Sequence, residues 1–308
     1  MHHVLRAEEM QAVPAYRGNS KGYRRVSLVD DKVGSVHMGV GLCSLKAGGS
    51  VHTHVQSFEE SFFVTEGEPV LVMEGRACRL LPGACGLIPL GVAHAWLGPA
   101  RGSARWIEMC APQPRPAGAD PDTFFLGPVG VHESVEIDIR DPRSRHLFRM
   151  DDDDIQVDKL KLGSRVDAPK VSASMNTALL AYSGIALKML VDKRLDAQLH
   201  TMFMVEYQPG GVAQPHDHPM EETYVILDGE VEAQADGKRY TLRKGDVFWT
   251  GVGSVHAFYN ASASTVRWLE TQSPPLPDRH GYRFERDWAY LKEKLAADRA
   301  ARRGRGKR

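Results

Sequence analysis

Residues 162 positions apart match in kind along much of this 308-residue chain. Glu60 falls on Glu222, Gly67 on Gly229, Gly75 on Gly237, Gly83 on Gly245, Gly91 on Gly253 and His94 on His256. Arg105-Trp106-Ile107-Glu108 falls on Arg267-Trp268-Leu269-Glu270, and upstream Gly48-Gly49 falls on Gly210-Gly211. Chance does not keep Gly, His, Glu and Trp in step over such a span. Each half is therefore a copy of one fold unit, and the chain must be built as two of them.

Each unit is expected to be all-β. Thr223 to Leu227, Val231 to Ala235 and Val247 to Thr250 are short runs rich in β-branched or aromatic residues. Asp228-Gly229, Asp236-Gly237 and Lys244-Gly245 separate them, and Asp-Gly supplies the positive φ that tight hairpin turns require. Many short strands at this spacing indicate a barrel or sandwich. The expected division is an N-terminal barrel with its leading arm over 1–125, a linker over 126–165, and a C-terminal barrel with a helical tail over 166–308. The tail helix is expected from about Arg286 to Ala297. The stretch from Arg115 to Arg165 is rich in Pro, Gly and Asp, with strand-like pieces such as Val135 to Ile139. The acidic run Asp151 to Asp154 reads as a solvated loop and the basic run Arg302 to Arg308 as a frayed end.

Composition narrows the partners. Lysine plus arginine and aspartate plus glutamate each number 39, so the formal charge is zero. That argues against a nucleic-acid partner, which needs a basic surface. The opening MHHVLRAEEM has no apolar signal core, and no apolar run approaches the roughly 20 residues of a membrane span. Cys43, Cys78, Cys85 and Cys110 form no CxxC pair and read as reduced packing residues of a cytoplasmic protein. The expected partner is a small-molecule substrate, with association of copies of the chain allowed.

The chemistry concentrates in two blocks of the second copy. Gly211-x4-His216-x-His218-x3-Glu222-x6-Gly229 is followed by Gly245-x5-Gly251-x-Gly253-x2-His256-x3-Asn260. Two histidines at i and i+2 on a strand share a face. A barrel has one inner face, so both point inward, Glu222 opens the next strand, and His256 comes from a distant one. This mixed N/O set suits a divalent transition metal. Four ligands leave one or two positions open to substrate, water or O2.

These blocks resemble the paired signature motifs of the cupin superfamily, in all four ligand positions and in the framing glycines. Only Gly251 departs, standing where the family usually has proline. The resemblance implies two tandem cupin barrels of the double-stranded β-helix, or jelly-roll, type. It also implies one divalent metal per chain, or two if both barrels work, with Fe or Mn favoured and Zn, Ni, Co and Cu open. The first copy reads His52-x-His54-x5-Glu60-x6-Gly67, then Gly83-x5-Pro89-x-Gly91-x2-His94. If His52 and His54 match His216 and His218, two residues are missing before the pair and two are added after it. That amounts to about 6.6 Å of strand. A possible second site therefore comprises His52, His54, Glu60 and His94.

In the Arg-Trp-[Ile/Leu]-Glu segment, alternation puts Arg and Ile/Leu on one face, and Trp and Glu on the other. An inward Arg267 could hold a substrate carboxylate bidentately. Alternatively, Arg267 and Glu270 cover the outside while Trp268 fills an interface. Glu222 and Arg267 are thus the candidate catalytic residues. His2, His3, His37, His200 and His280 lack ligand spacing and receive no role.

The whole-chain layout is similar to the (S)-ureidoglycine aminohydrolase bicupins. That family places Glu, His, His and Gln at its metal, where this chain has His216, His218, Glu222 and His256. The three-His, one-Glu set looks more like the mononuclear cupin dioxygenases, which implies oxygenase-type chemistry on a small organic acid, phenol or enol. Metal-assisted hydrolysis or deamination of a nitrogenous metabolite is the second reading, and a non-catalytic ligand-binding bicupin the third. Gentisate-type bicupins and oxalate decarboxylases are worse fits, because the characteristic surroundings of their ligands are not found.

Overall fold

The computed structural model describes residues 1–116, 118–130, 133–138, 140–151, 154–155, 182–275 and 283–284, and these are almost wholly β. The expected helix from Arg286 to Ala297 and the basic tail lie outside the described residues, as do Asp152 and Asp153 of the acidic run.

Among the described residues two curled sheets result, twelve strands in the N-terminal one and ten in the C-terminal one. Each is organised by one long strand, Gly39–Gln56 and Thr201–Asp217. The first part of Thr201–Asp217 pairs with Val266–Ser273, and its last part with His256–Tyr259. The strand therefore passes from one wall of the barrel to the other. Gly210 and Gly211 make the corner: Gly210 has φ +77, and a Cβ on Gly211 would lie 2.9 Å from the Gln208 and Gly184 carbonyl oxygens. Gly48 and Gly49 do the same in the first copy, where a Cβ on Gly49 would lie 2.6 Å from Lys21 O. The Asp236-Gly237 turn takes positive φ at both residues, joining Glu230–Ala235 to Lys238–Arg243.

Side-chain alternation sorts the core into three bodies. Cys43, Leu45, Phe62, Trp96 and Trp106 fill the first barrel. Val205, Tyr207, Tyr224, Phe258 and Trp268 fill the second. The opposite faces of the same strands supply Ile107, Met109, Met204 and Leu269 to a third cluster shared by both halves. Burying a large apolar side chain contributes about 1.5–3 kcal/mol, so strands used on both faces bind the barrels to each other as well as closing each.

Segments outside the repeat are stitched to it. His2–Leu5 pairs antiparallel with Val247–Thr250, so the leading arm adds a strand to the C-terminal sheet. Within the region read as linker, Ser134–Val135 runs parallel to Ala77-Cys78, and Leu147–Arg149 pairs with Ala84–Gly86. Ile139, at the end of the expected strand piece, lies outside the described residues. The four cysteines are free and buried, as expected of packing residues.

Candidate metal centre

In the C-terminal barrel, His216 ends the long strand and pairs in register with His256. His218 follows two residues on, and Glu222 lies on the next strand, Glu221–Asp228. One ring nitrogen from each of His216, His218 and His256 lies within 4.8 Å of the others, and all three residues are buried. Each Nδ1 is bonded to a backbone carbonyl: His216 to Gln214 at 2.7 Å, His218 to Met220 at 2.9 Å and His256 to Ser254 at 2.9 Å. A carbonyl only accepts, so each Nδ1 carries a proton and Nε2 is left facing the interior as the atom an ion would take. Glu222 Oε2 is 2.8 Å from His218 Nε2 and 3.2 Å from His256 Nε2.

The set fits a divalent ion. Three ring nitrogens within 4.8 Å of one another, with a carboxylate oxygen beside two of them, are the donor types of a mixed N/O site. The electrostatics agree. Burial, then the neighbouring His256 and His218, hold His216 well below its ordinary value. Burial is also the largest influence on His218 and Glu222. Their mutual attraction, with added hydrogen bonds, outweighs it, raising His218 and holding Glu222 well below the carboxylate range. The carboxylate is thus ionised among imidazoles.

Tyr224 and Gln272 were not singled out in the sequence, and Glu270, offered there as an outside residue, is inward with them. Tyr224 donates from its hydroxyl to Glu222 Oε2, and that hydroxyl lies 2.9 Å from His256 Nε2. Gln272 Nε2 donates to Glu222 Oε1 at 2.6 Å. Trp268 Nε1 donates to Glu270 Oε2 at 2.9 Å. Burial, and next the Glu222 charge, push the Glu270 carboxyl well above its ordinary range. Parity alone places these side chains: positions 222 and 224 share a strand face, as do 268, 270 and 272.

Arg267 is not among them, and its expected catalytic place is corrected. It occupies the other face of its strand, donates to the cross-strand Glu206 from Nη2 at 2.9 Å, and borders with Arg105 a cleft between the barrels. Trp268, expected at an interface, fills the barrel interior with Glu270 beside it.

The N-terminal barrel repeats this plan with one substitution. His54 pairs in register with His94, as His216 does with His256. Nδ1 of His54 bonds to His52 O at 2.8 Å, and Nδ1 of His94 to Val92 O at 3.0 Å. Gly91 N donates to Gln56 O just as Gly253 N donates to His218 O, both at 3.0 Å. The repeat therefore runs without a gap. His54 stands for His216, Gln56 for His218, and His52 for Gln214. The expected ligand role of His52 is corrected accordingly, because a two-residue slip would be needed to place it and the register has none. Burial, then Glu108, raises Glu60 to about 8, and burial, then His54, lowers His94 to about 3. Among the described residues, no trio of His, Cys, Asp or Glu ligand atoms converges here as it does in the other barrel.

Comparison with known proteins follows the same lines. The family model described as Cupin domain matches residues 203–271. Over 110 residues the chain is 26% identical to the HTH-type transcriptional regulator PuuR of Escherichia coli (strain K12), and equally to that of Shigella flexneri. The match covers 35% of this chain and 59% of the regulator. Among solved structures, the oxalate decarboxylase–formate complex of Lactobacillus farciminis is similar over 92% of this chain and 89% of its own, at 16% identity and TM-score 0.59. Protein Ylba of E. coli is similar over 90% of this chain and 91% of its own, at 14% identity and TM-score 0.59. At these identities the likeness is one of fold. It extends over both barrels, and residues 203–271 of the second barrel match the cupin domain family.

Proposed function

We propose that this bicupin is a metal-dependent enzyme whose C-terminal barrel acts on a small chelating organic acid, phenol or enol by oxygenase-type chemistry. The observation that carries the reading is the convergence of three carbonyl-anchored imidazoles beside an ionised Glu222. A divalent ion held by His216, His218, Glu222 and His256, with iron or manganese favoured, supplies Lewis acidity and redox capacity at positions those four side chains leave open. Three neutral ligands and one carboxylate leave net positive charge for an anionic chelator. Tyr224 and Gln272 fix the two oxygens of Glu222, one each. Burial favours the protonated form of Glu270, which suits donation to a substrate oxygen.

Turnover in an oxygen electrode and again in an anaerobic chamber, after reconstitution with iron, manganese and zinc in turn, tests this reading. Oxygen consumption in proportion to product is expected. Full-rate turnover without oxygen, and with zinc, eliminates it in favour of metal-assisted hydrolysis or deamination. The match to PuuR favours one other reading, that the barrel binds a ligand without transforming it. Metal binding with no turnover of any chelating acid, phenol or enol in such a panel would support that alternative.

A further inference from the structure

The strands that carry Glu222 and Gln272 run antiparallel, and three cross-strand pairs follow one another: Glu221 with Ser273, Glu222 with Gln272, and Thr223 with Thr271. Alternation turns the middle pair into the barrel, where Gln272 Nε2 reaches Glu222 Oε1, and turns the flanking pairs out of it. The outward groups do not face solvent. Glu221, Ser273, Thr223 and Thr271 are each at most 3% exposed, and all four meet the turn at 35–38 of the N-terminal barrel. Glu221 Oε1 accepts from Val36 N at 2.8 Å and from His37 N at 3.2 Å, and Glu221 Oε2 lies 2.5 Å from Ser35 Oγ. Ser273 Oγ lies 3.2 Å from His37 O. Thr223 and Thr271 both donate to the Met38 thioether, at 3.1 and 3.9 Å. Ser35 Oγ is also 2.7 Å from Met38 O, which ties the two ends of the turn together.

We infer that this turn is the outer support of the C-terminal metal centre: Ser35 and Met38 are positioning residues that set where Glu222 and Gln272 stand, by holding the residues on either side of each. The inference rests on the reading of Glu222 as a metal ligand. Its physical basis is stiffness. A carboxylate binds an ion most tightly when its strand need not be ordered or shifted as the ion arrives. Here the residues before and after Glu222 are fixed from behind, one through a buried carboxylate and the other through a sulfur contact. The counterpart joint is built differently. Glu59 and Ser61 flank Glu60, but Ala111 and Met109 stand opposite them, where the C-terminal barrel has Ser273 and Thr271, and neither has a hydroxyl to offer. Support on both strands therefore belongs to the C-terminal centre, and the N-terminal barrel contributes to the other barrel's affinity for its ion.

The test is Co2+ titration of the metal-stripped full-length chain. Affinity comes from competition with a chelator, the visible absorption of bound Co2+ reports on its ligands, and each variant is also melted. Ser35→Ala is expected to weaken Co2+ binding about tenfold, the lower end for groups that orient a ligand, and to alter the absorption. Glu59→Gln loosens the counterpart joint and is the control. It should lower the melting midpoint at least as far, while leaving affinity and absorption unchanged. If Ser35→Ala proves unfolded, Thr223→Val takes its place: it keeps the shape, removes the hydroxyl that reaches Met38, and should also weaken the ion. Glu222→Gln separates two failures. If it loses the ion while Ser35→Ala and Thr223→Val bind as the wild type does, the support is overturned and the metal centre stands. If it binds as tightly as the wild type, or the wild type takes no Co2+, the ligand reading falls and the inference with it. Equal weakening by Glu59→Gln and Ser35→Ala also overturns the inference, since a merely structural joint would act alike through both.

Discussion

A carbonyl under each Nδ1 means that the imidazoles of the C-terminal barrel are oriented before any ion arrives, since the backbone, not the metal, fixes ring and tautomer. Folding and metal binding should therefore separate. His218→Ala is expected to abolish binding in this barrel while shifting the thermal midpoint by no more than a few degrees, because packing rests on residues such as Phe258 and Trp268. Metal content beside a thermal melt checks this, and full occupancy in the variant refutes the ligand assignment. Tyr224→Phe leaves the ligands intact but removes the donor to Glu222 Oε2. Metal affinity is expected to fall by about 10–100-fold, as for other groups that orient a ligand, and competition with a chelator measures it. The four C-terminal positions were legible because ligand spacing is a sequence pattern. Tyr224 and Gln272 were not, since inward polar residues carry no motif, and Glu270 was seen in its repeat but offered for the wrong face. Counting by twos from Glu222 and Trp268 finds all three. His52 misled because His-x-His is a stronger visual pattern than the ungapped offset that sets His54 on His216.

At the scale of the element, the corner in each long strand decides whether the chain closes. Gly49 lies so close to its neighbours that a Cβ would meet Lys21 O at 2.6 Å and Lys46 O at 2.8 Å, both backbone atoms. Gly48 has open space but φ +68. The two glycines are thus required for different reasons, one for clearance and one for conformation. Gly48→Ala should cost about 1–2 kcal/mol, the penalty of a left-handed residue. Gly49→Ala should cost more, on the order of 2–4 kcal/mol, since the backbone must move. Urea unfolding of the two variants measures the difference, and equal costs would mean that the corner relaxes freely. Turns and strands of the repeat were readable from Gly and β-branched residues. The strand His2–Leu5 on Val247–Thr250 was not, because pairing between segments so far apart leaves no local periodicity to read.

At the scale of the molecule, the repeat becomes a reciprocal clasp. The carboxylate of Glu59 accepts from Gln198 N and Leu199 N, each at 2.9 Å, and the carboxylate of Glu221 accepts from Val36 N at 2.8 Å and His37 N at 3.2 Å. Residues 36 and 37 are the 162-offset counterparts of 198 and 199, so each barrel grips the same turn of the other. Both acids immediately precede a candidate metal ligand, Glu60 or Glu222, which ties each site to the joint between barrels. The clasp is asymmetric where His200 Nδ1 lies 3.3 Å from Glu59 Oε2, because Met38 occupies the equivalent place in the other half. Burial is the largest single influence on Glu59 and raises its pKa. His200 and the Leu199 and Gln198 N–H groups together outweigh it, so Glu59 ends below its ordinary 4.5. A carboxyl depressed on folding stabilises fully above its unfolded value and loses that contribution as pH falls through the folded one. Glu59→Gln should therefore destabilise the protein by about 1–3 kcal/mol near neutrality, through backbone donors left poorly matched. As the pH falls from neutrality through 4.5 and below, the wild type should lose stability more steeply than the variant, and the two curves should converge. Urea midpoints collected across that range decide it: parallel curves would show that the Glu59 charge contributes nothing to holding the barrels together.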